Sequence, residues 1–312
     1  MAIIPLHIVD AFTDEPFSGN PAAVVPNAAV LAEDELVRIS EELGLEVGFV
    51  LPPEARDADV RLRFFTDRRE DFLSGHVLLA AFTSMAERGI FRPTAEGRLV
   101  HVETLAGVLQ VRLTRTSAGR TSITCEMPNP RFGEPIPADE VGRALDVDPE
   151  ALRLGDSGPQ RVSCGFDQII VPVADRTVMM GRWRDSPGIK NLLDGRGAAG
   201  LVLFSPETHD PAAQFHCRFM HPGGRRCEDL ASGTCLAATA AYAVKYGLVP
   251  RQEHVVIRTE QGHCLGRPTQ AVLDVRVLHD EIHRVELTGS GAVVMRGSFQ
   301  YQRPAAMNTA QA

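Results

Sequence analysis

Two similar segments of this sequence carry side chains that could move protons. EDFLSGHVLLA spans residues 70–80 and EDLASGTCLAA spans residues 228–238, so both read ED-x-x-SG-x-x-L-x-A. The first segment places His76 directly after its glycine, whereas the second places Thr234 there, with Asp229 shortly before. Imidazole and carboxylate groups are common general acids and bases in enzymes. The pair of segments therefore indicates an acid–base site built from two unequal copies.

Each segment leads into a stretch that predicts a buried helix. Residues 76–88 and 234–246 are apolar nearly all round, which is typical of a helix enclosed by protein. Serine is a good N-cap and glycine allows a tight turn, so the Ser-Gly pair predicts where both helices begin. The free N–H groups and the positive dipole end at such a helix start can hold a carboxylate without Arg or Lys. If two halves of the fold face each other, the two helix starts meet in one cleft.

The two copies lie about half the chain apart, which indicates a duplicated half-domain. A looser match continues upstream, where Arg63-Phe64 and Arg68-Arg69 correspond to Arg218-Phe219 and Arg225-Arg226. Short segments, mostly rich in β-branched residues, predict strands at residues 6–12, 47–51, 60–65, 109–113, 122–127, 168–173, 200–204, 254–259 and 292–296. An amphipathic pattern predicts one further helix at residues 34–43. Solenoid folds are excluded because their repeats are far shorter.

The composition is that of a globular protein and argues against several classes of partner. A net charge of −8 and a pI of about 5.7 argue against nucleic acid or an anionic membrane, because both require a basic surface. The N-terminal residues lack the features of a signal peptide, and no apolar run reaches the length of a membrane helix, so we expect a cytoplasmic protein. The six cysteines and ten histidines match no known metal motif. We therefore expect reduced thiols and assign no metal-binding residues.

Four motifs in order along the chain resemble those of the PhzF-like phenazine-biosynthesis family. They are VDAFTDEPFSGNPAAVV at residues 9–25, LEVGFV at 45–50, the segment from Glu70 to His76, and EDLASGT at 228–234. Weaker similarities are VSCG at 162–165, Gln261-Gly262 with Gly266-Arg267-Pro268, and a closing strand at 287–297. The resemblance therefore covers roughly residues 6–300. The ordered set is specific, although any one motif is weak.

The resemblance implies the fold of diaminopimelate epimerase. This is an α+β fold of two pseudo-symmetric halves, each a β-barrel wrapped around a central buried helix. The implied first half is residues 1–120 with a returning strand at about 285–300, and the second half is residues 121–284. A tail follows at residues 301–312. We also expect the protein to form a homodimer.

The resemblance also implies roles for individual residues. Glu46 is the implied general acid and base, and His76 and Asp229 complete the implied catalytic set. The implied substrate-binding residues are Ser74, Gly75, Ser232, Gly233 and Thr234. Among these, the amides near the two glycines are expected to hold a substrate carboxylate.

Several positions depart from the family pattern. Epimerases of this fold use two cysteines, one before each helix glycine, where this chain has Ser74 and Ser232. Because neither serine can form a thiolate, racemisation by two cysteine bases is disfavoured. The replacements in the other motifs are Leu45 for Ser, Val47 for Thr and Leu230 for Pro. The apolar neighbours predict a raised pKa for Glu46, and they favour a substrate whose polar groups differ from those of dihydrohydroxyanthranilate.

These observations predict a cofactor-independent isomerase that shifts a proton and a double bond in a small carboxylated substrate. The expected setting is secondary metabolism, either phenazine-type or alkylproline antibiotic biosynthesis. Two alternatives stay open: an epimerase or racemase of the same fold, and a non-catalytic descendant that binds a small acid or a protein. Deuterium uptake from heavy water distinguishes the three, because racemisation exchanges an α-hydrogen and binding alone exchanges none.

Overall fold

The structure, a computed structural model, describes residues 2–174, 176–181, 187–222 and 227–301. The predicted tail beyond residue 301 and the Arg225-Arg226 pair lie outside these residues. Among the helices in the described ranges, none is both long enough and apolar enough to cross a membrane.

Strands are the commonest regular elements of the described chain. They are β1 (Ala2–Ala11), β2 (Asn20–Val25), β3 (Val47–Leu51), β4 (Val60–Thr66), β5 (Arg69–Asp71), β6 (Arg98–Thr104), β7 (Gly107–Arg115), β8 (Thr121–Met127), β9 (Arg131–Pro135), β10 (Gln160–Ser163), β11 (Asp167–Pro172), β12 (Gly200–Ser205), β13 (Phe215–Met220), β14 (Glu228–Asp229), β15 (His254–Gln261), β16 (Thr269–Leu278), β17 (Glu281–Gly289) and β18 (Gly291–Tyr301). The α-helices are α1 (Glu33–Leu43), α2 (Gly75–Glu87), α3 (Ala138–Leu145), α4 (Arg176–Met179), α5 (Pro187–Arg196) and α6 (Gly233–Lys245). Short 3-10 helices occupy Pro149–Leu152 and His263–Leu265.

Backbone pairing arranges the strands in two similar series. The first series runs β18–β1–β2–β3–β4–β6–β7–β8, and the second runs β9–β10–β11–β12–β13–β15–β16–β17. In each series the third and fourth strands are parallel, as are the fifth and sixth, and the other neighbours are antiparallel. The short strands β5 and β14 pair with β4 and β13 in the same way. Pairing between β8 and β17 joins the two series. The duplication inferred from the sequence is therefore present strand by strand.

A buried helix fills the middle of each series. α2 contacts β1, β2, β3, β8 and β18, and α6 contacts β10, β11, β12, β15, β16 and β17. Every residue from Gly75 to Met85 and from Gly233 to Val244 is buried. Because neither helix has a polar face, strands must surround it on all sides. The predicted fold class is confirmed: an α+β protein of two similar halves, each with strands wrapped around a central helix.

The pairing of β8 with β17 forms the seam between the halves. β8 pairs with β7 and contacts α2, so it belongs with the first series. β17 pairs with β16 and contacts α6, so it belongs with the second. We therefore propose that the second half is residues 128–289, and that the first half resumes with β18.

Candidate active site

A cleft of about 860 Å³ opens between the two halves. All of the predicted site residues line it: Glu46, Ser74, Gly75, His76, Asp229, Ser232, Gly233 and Thr234. The other lining residues also come from both halves, and they include Asn20, Arg69, Asp71, Phe219 and His221. The structure thus brings together residues that are far apart in the sequence.

The two helix starts lie against each other at the floor of the cleft. A Cβ added to Gly75 would lie 3.1 Å from the Gly233 Cα, and one added to Gly233 would lie 3.3 Å from the Gly75 Cα. Only glycine permits so close an approach of two backbones. The amides of a first helical turn have no partner within their own helix. Two converging helix starts therefore make a site for an anion such as a carboxylate.

Glu46 immediately precedes β3 and directs its carboxylate toward the start of α2. The Ser74 hydroxyl donates a hydrogen bond of 2.9 Å to the Glu46 Oε2, and the His76 Nε2 lies 3.6 Å from the same oxygen. Burial raises the pKa of Glu46 to about 7, although the Ser74 hydrogen bond opposes this shift. The raised pKa agrees with the expectation from the apolar neighbours. A carboxyl group with this pKa both accepts and returns protons near neutral pH.

His76 is held as a neutral imidazole. Its side chain is 5% exposed, and its Nδ1 lies 3.3 Å from the Ser74 Oγ. Burial lowers the pKa of His76, and this outweighs the nearby charges of Asp229 and Asp71. A neutral imidazole carries one N–H donor and one acceptor. His76 can therefore orient a polar group of the substrate without adding a positive charge.

Asp229 approaches the cleft from the second half. Its Oδ1 accepts a hydrogen bond of 2.9 Å from the Asn20 amide, which also donates to the Ala231 carbonyl at 2.8 Å. Burial raises the pKa of Asp229 to about 6. The charge of Glu46 adds to the rise, and hydrogen bonds from the Leu230 amide and the Asn20 side chain oppose it. The sequence predicted no role for Asn20 at the site, although Asn20 lies in the family motif at residues 9–25.

Glu70 and Glu228, the first residues of the two repeated segments, each pair with an arginine on a neighbouring strand. The Arg63 Nε donates to the Glu70 Oε1 at 2.8 Å, and the Arg218 Nε donates to the Glu228 Oε1 at 2.8 Å. A guanidinium paired with a carboxylate in this way fixes the orientation of both side chains. The loose upstream match in the sequence therefore reflects the same Arg–Glu pair in each half, one strand away from the helix start.

Strand register identifies the position in the second half that corresponds to Glu46. The matching ladders are Val47–Phe65–Glu70 and Leu201–Met220–Glu228. One residue earlier, Glu46 therefore corresponds to Gly200. A Cβ added to Gly200 would lie only 2.1 Å from the Phe219 ring. The second half thus has an aromatic ring where the first half has room for a carboxylate.

Among the described residues, no cysteine lines the cleft. Cys235 is fully buried inside α6. Burial raises its pKa well above the ordinary value, which keeps the thiol protonated. The positions before the two glycines hold Ser74 and Ser232, so the cleft offers carboxylates and an imidazole for proton transfer.

Comparison with known sequences gives one family over most of the chain. A family model described as phenazine biosynthesis-like protein matches residues 9–297. An uncharacterized isomerase of Bacillus subtilis, YfhB, is 29% identical over 285 residues, which cover 90% of this chain and 93% of that protein. The trans-2,3-dihydro-3-hydroxyanthranilate isomerase of Pseudomonas aeruginosa is 25% identical over 293 residues, which cover 93% of this chain and 97% of that protein.

Solved structures give the same result for the fold. A PhzF family protein of Bacillus anthracis superposes with a TM-score of 0.86 at 25% identity, covering 96% of this chain and all of that one. A hydroxyproline epimerase of Agrobacterium vitis, solved with bound trans-4-hydroxy-L-proline, superposes with a TM-score of 0.64 at 14% identity, covering 96% of this chain and 91% of that one. The second likeness shows the fold alone.

Proposed function

This chain belongs to the phenazine biosynthesis-like family, and from that premise we propose that it is a cofactor-independent isomerase with Glu46 as its single general base and acid. The family assignment confirms the resemblance found in the sequence, and several curated relatives are named isomerases. The observation that carries the proposal is the asymmetry of the cleft. One half places a carboxyl group with a pKa of about 7 beside two converging helix starts, and the other half has Gly200 at the corresponding position.

The substrate carboxylate binds between the helix starts. First-turn amides near Gly75 and Gly233 donate to its oxygens, and the hydroxyls of Ser232 and Thr234, which lie 3.1 Å apart, are within the same cleft. Anchoring the carboxylate there fixes which carbon faces Glu46. Positioning of this kind converts proton transfer into an intramolecular step.

Glu46 then performs both proton transfers. Its carboxylate removes a proton from one carbon. The electrons of that C–H bond form a double bond to the neighbouring carbon, and the electrons of the original double bond move to the carbon at its far end. The protonated Glu46 returns the same proton to the carbon at the far end of the system. Atoms and charge balance without an external oxidant or reductant, so the reaction requires no redox cofactor.

His76 and Asp229 act on the polar groups of the substrate. The neutral imidazole of His76 donates to an oxygen that becomes more negative as the proton leaves, which stabilises the intermediate. Asp229, held by Asn20, accepts from a substrate hydroxyl or amine on the side of the second half. Leu45 lines the cleft beside Glu46 and favours a substrate with few polar groups at that end, whereas Val47 is buried in the core and does not line the cleft.

A second candidate function rests on Asp229. Its pKa of about 6 and its place in the half opposite Glu46 make it a possible second acid for an epimerase that needs no cysteine. Two-base epimerisation requires the second group to reach the opposite face of the same carbon. The hydrogen bond from Asn20 favours a binding role for Asp229, so we place this function second.

Deuterium labelling tests the proposal directly. Purified protein is incubated in deuterated buffer with trans-2,3-dihydro-3-hydroxyanthranilate, and separately with trans-4-hydroxy-L-proline, and products are examined by NMR and mass spectrometry. A one-base isomerase gives a product with a shifted double bond and deuterium at one carbon, below full occupancy because a shielded carboxyl group returns part of the original proton. Inversion of an otherwise unchanged carbon with complete labelling would instead identify the epimerase.

The remaining outcomes also decide between hypotheses. Ligand binding without deuterium uptake into either compound would support the non-catalytic alternative. A strict requirement for flavin, or for a metal ion bound in the cleft itself, would contradict the cofactor-free reaction. We further propose a cytoplasmic homodimer that acts in phenazine-type or alkylproline antibiotic biosynthesis, and analytical ultracentrifugation tests the dimer.

A further inference from the structure

Three histidines and a glutamate meet in the second half at a place outside the cleft. They are His209 in the loop after β12, His216 in β13, Glu260 in β15 and His263 in the following 3-10 helix, and we call them the imidazole cluster. One candidate ligand atom from each residue lies within 4.8 Å of the others. No member of the cluster lines the catalytic cleft in the described chain.

The rings of the imidazole cluster pack directly on one another. His209 and His263 stack with centroids 4.3 Å apart and planes at 4°, and His216 meets them edge-on at 5.1 and 5.3 Å. The parallel neighbours His216 and Glu260 share a hydrogen bond of 3.0 Å between Nδ1 and Oε1. Glu260 is fully buried and also accepts from the backbone amides of His209 and Asp210.

Two ring nitrogens of the cluster are buried without a hydrogen-bond partner among the described residues. They are the Nε2 of His216, whose side chain is 3% exposed, and the Nδ1 of His263. An unsatisfied buried polar atom costs about 1–3 kcal/mol. Two such atoms within one group of rings indicate that something else satisfies them in the working protein.

We propose that the imidazole cluster binds one divalent transition-metal ion of the zinc type. Three imidazoles and one carboxylate form a donor set that suits zinc, and also cobalt or nickel. Ligand atoms bound to one ion at about 2.1 Å are about 3.4 Å apart in a tetrahedral site. The candidate ligand atoms now lie up to 4.8 Å apart, so the proposal requires the imidazole rings to rotate about their side-chain torsions when the ion binds.

The charge of the cluster also suits a cation. Hydrogen bonds from the His216 ring and from two backbone amides hold the buried Glu260 carboxylate in place. A carboxylate ligand supplies negative charge that a bound cation needs.

The ion joins segments that support the second half of the cleft. Glu260 is followed by Gln261, whose amide donates to the Asp229 carbonyl at 2.9 Å. Linking β13, β15 and the loop at His209 fixes the position of β15 and therefore of this contact. The metal thus stabilises the fold and orients Asp229 from a distance, while the chemistry stays with the residues of the cleft.

Metal titration of the full chain tests this site. Protein stripped with a chelator is titrated with Co²⁺ followed by absorption, and with Zn²⁺ followed by calorimetry and thermal unfolding. We expect one equivalent of either ion to bind, a visible cobalt spectrum typical of tetrahedral nitrogen-rich ligation, and a higher Tm with zinc. Absence of stoichiometric binding of both ions would overturn the proposal.

Two variants and a control locate the ion. His209→Ala and His263→Ala remove side chains at the more exposed edge of the cluster, so both variants should fold. Each should weaken zinc binding by more than about 100-fold. Removing a residue that only hydrogen-bonds to a metal ligand costs about 10–100-fold, and removing the ligand itself should cost more. His101→Ala, on a partly exposed histidine in the first half, is the control and should bind as the unmodified chain does. Unchanged binding in both cluster variants would place the ion elsewhere and refute the assignment.

Discussion

The two helix starts have the same backbone and different neighbours. Before α2, the Ser74 hydroxyl donates to Glu46 and lies near the His76 ring. Before α6, the Ser232 hydroxyl lies 3.1 Å from the hydroxyl of Thr234, the residue that corresponds to His76. Both serines have nearly the same conformation, with φ of −128° and −127°. The duplicated scaffold therefore presents a symmetric set of amides and an asymmetric set of acids.

This difference separates the two tasks of the cleft. Anion binding uses amides and helix dipoles, which any sequence with the Ser-Gly start supplies, so it survives divergence of the two copies. Proton transfer needs a particular side chain. The first half has the carboxyl group of Glu46 just before β3, and the second half has Gly200 at the corresponding position. In the other copy the same space belongs to Phe219. Variants that remove these groups test whether anion binding and proton transfer depend on different residues.

The largest expected effect is the loss of the carboxyl group itself. Glu46→Gln keeps the size of the side chain but cannot carry a proton between two carbons, so turnover should fall by at least about 10²-fold while substrate affinity changes little. Steady-state kinetics and calorimetric titration measure the two quantities. Glu42→Gln, on an exposed residue of α1, is the matched control. Near-normal turnover in a folded Glu46→Gln protein would remove Glu46 from the mechanism.

The next effect concerns the space that Phe219 fills. Gly200→Ala places a methyl group 2.1 Å from the ring, so Phe219 or the strand must move, and we expect a loss of about 1–3 kcal/mol in the free energy of unfolding. Denaturant titration measures it. Gly195→Ala in α5 is the control, because the added carbon would have no neighbouring atom within 4 Å. Its free energy of unfolding should rise by up to about 1 kcal/mol. Equal stability of the two variants would show that this space is open after all.

Removal of each serine hydroxyl gives a smaller and more specific effect. The Ser74 hydrogen bond lowers the pKa of Glu46, so Ser74→Ala should raise that pKa above about 7. Because the ionised carboxylate is the base, the rising limb of the kcat/KM profile should move to higher pH. A shift of about one unit is expected, since a hydrogen bond to a charged group contributes about 1.5 kcal/mol. Ser232 bonds to Thr234 and not to Glu46, so Ser232→Ala should leave the rising limb of the profile in place. A similar shift in that variant would contradict the difference between the two helix starts.

The last effect is on the pH dependence of stability. The folded state raises the pKa of Glu46 from 4.5 to about 7, so it binds more protons than the unfolded state within this window. Stability is thus lost as pH rises from 4.5 toward 7, by up to about 3 kcal/mol. Glu46→Gln removes this dependence and should raise Tm at pH 8 by up to about 5 °C relative to the unmodified chain. Calorimetry at pH 8 and pH 5 measures it, and a gain of equal size at both pH values would assign the effect to packing.

Much of the fold was predictable because its strongest elements carry local signals. The helices predicted at 34–43, 76–88 and 234–246 appear within one residue of α1, α2 and α6, and the strand at 47–51 is β3. α3 and α5 were not predicted, because α3 is only eight residues long and α5 contains proline and glycine. β13 was also missed, since its buried His216 and Arg218 interrupt the apolar pattern.

The candidate site was predicted where a repeat or a motif marked it. The duplicated segments gave both helix starts, and the resemblance gave Glu46. The relation of Gly200 to Glu46 could not be predicted, because it depends on strand register between paired strands. The imidazole cluster was missed for a similar reason: its members come from separate segments that parallel pairing of β13 and β15 brings together.

The pairing of β1 with β18 has a consequence for how the chain is made. β1 precedes its partner β18 by nearly the whole described chain, so β1 lacks this neighbour until β18 has been synthesised. Residues 128–289 are continuous, and we expect them to reach their final structure before the first half, which stays incomplete until β18 has been made. Pulse proteolysis of stalled chains, with protection of α6 before α2, tests this order. Premature termination before residue 291 should thus leave α2, whose start lies beside Glu46, without its contact with β18.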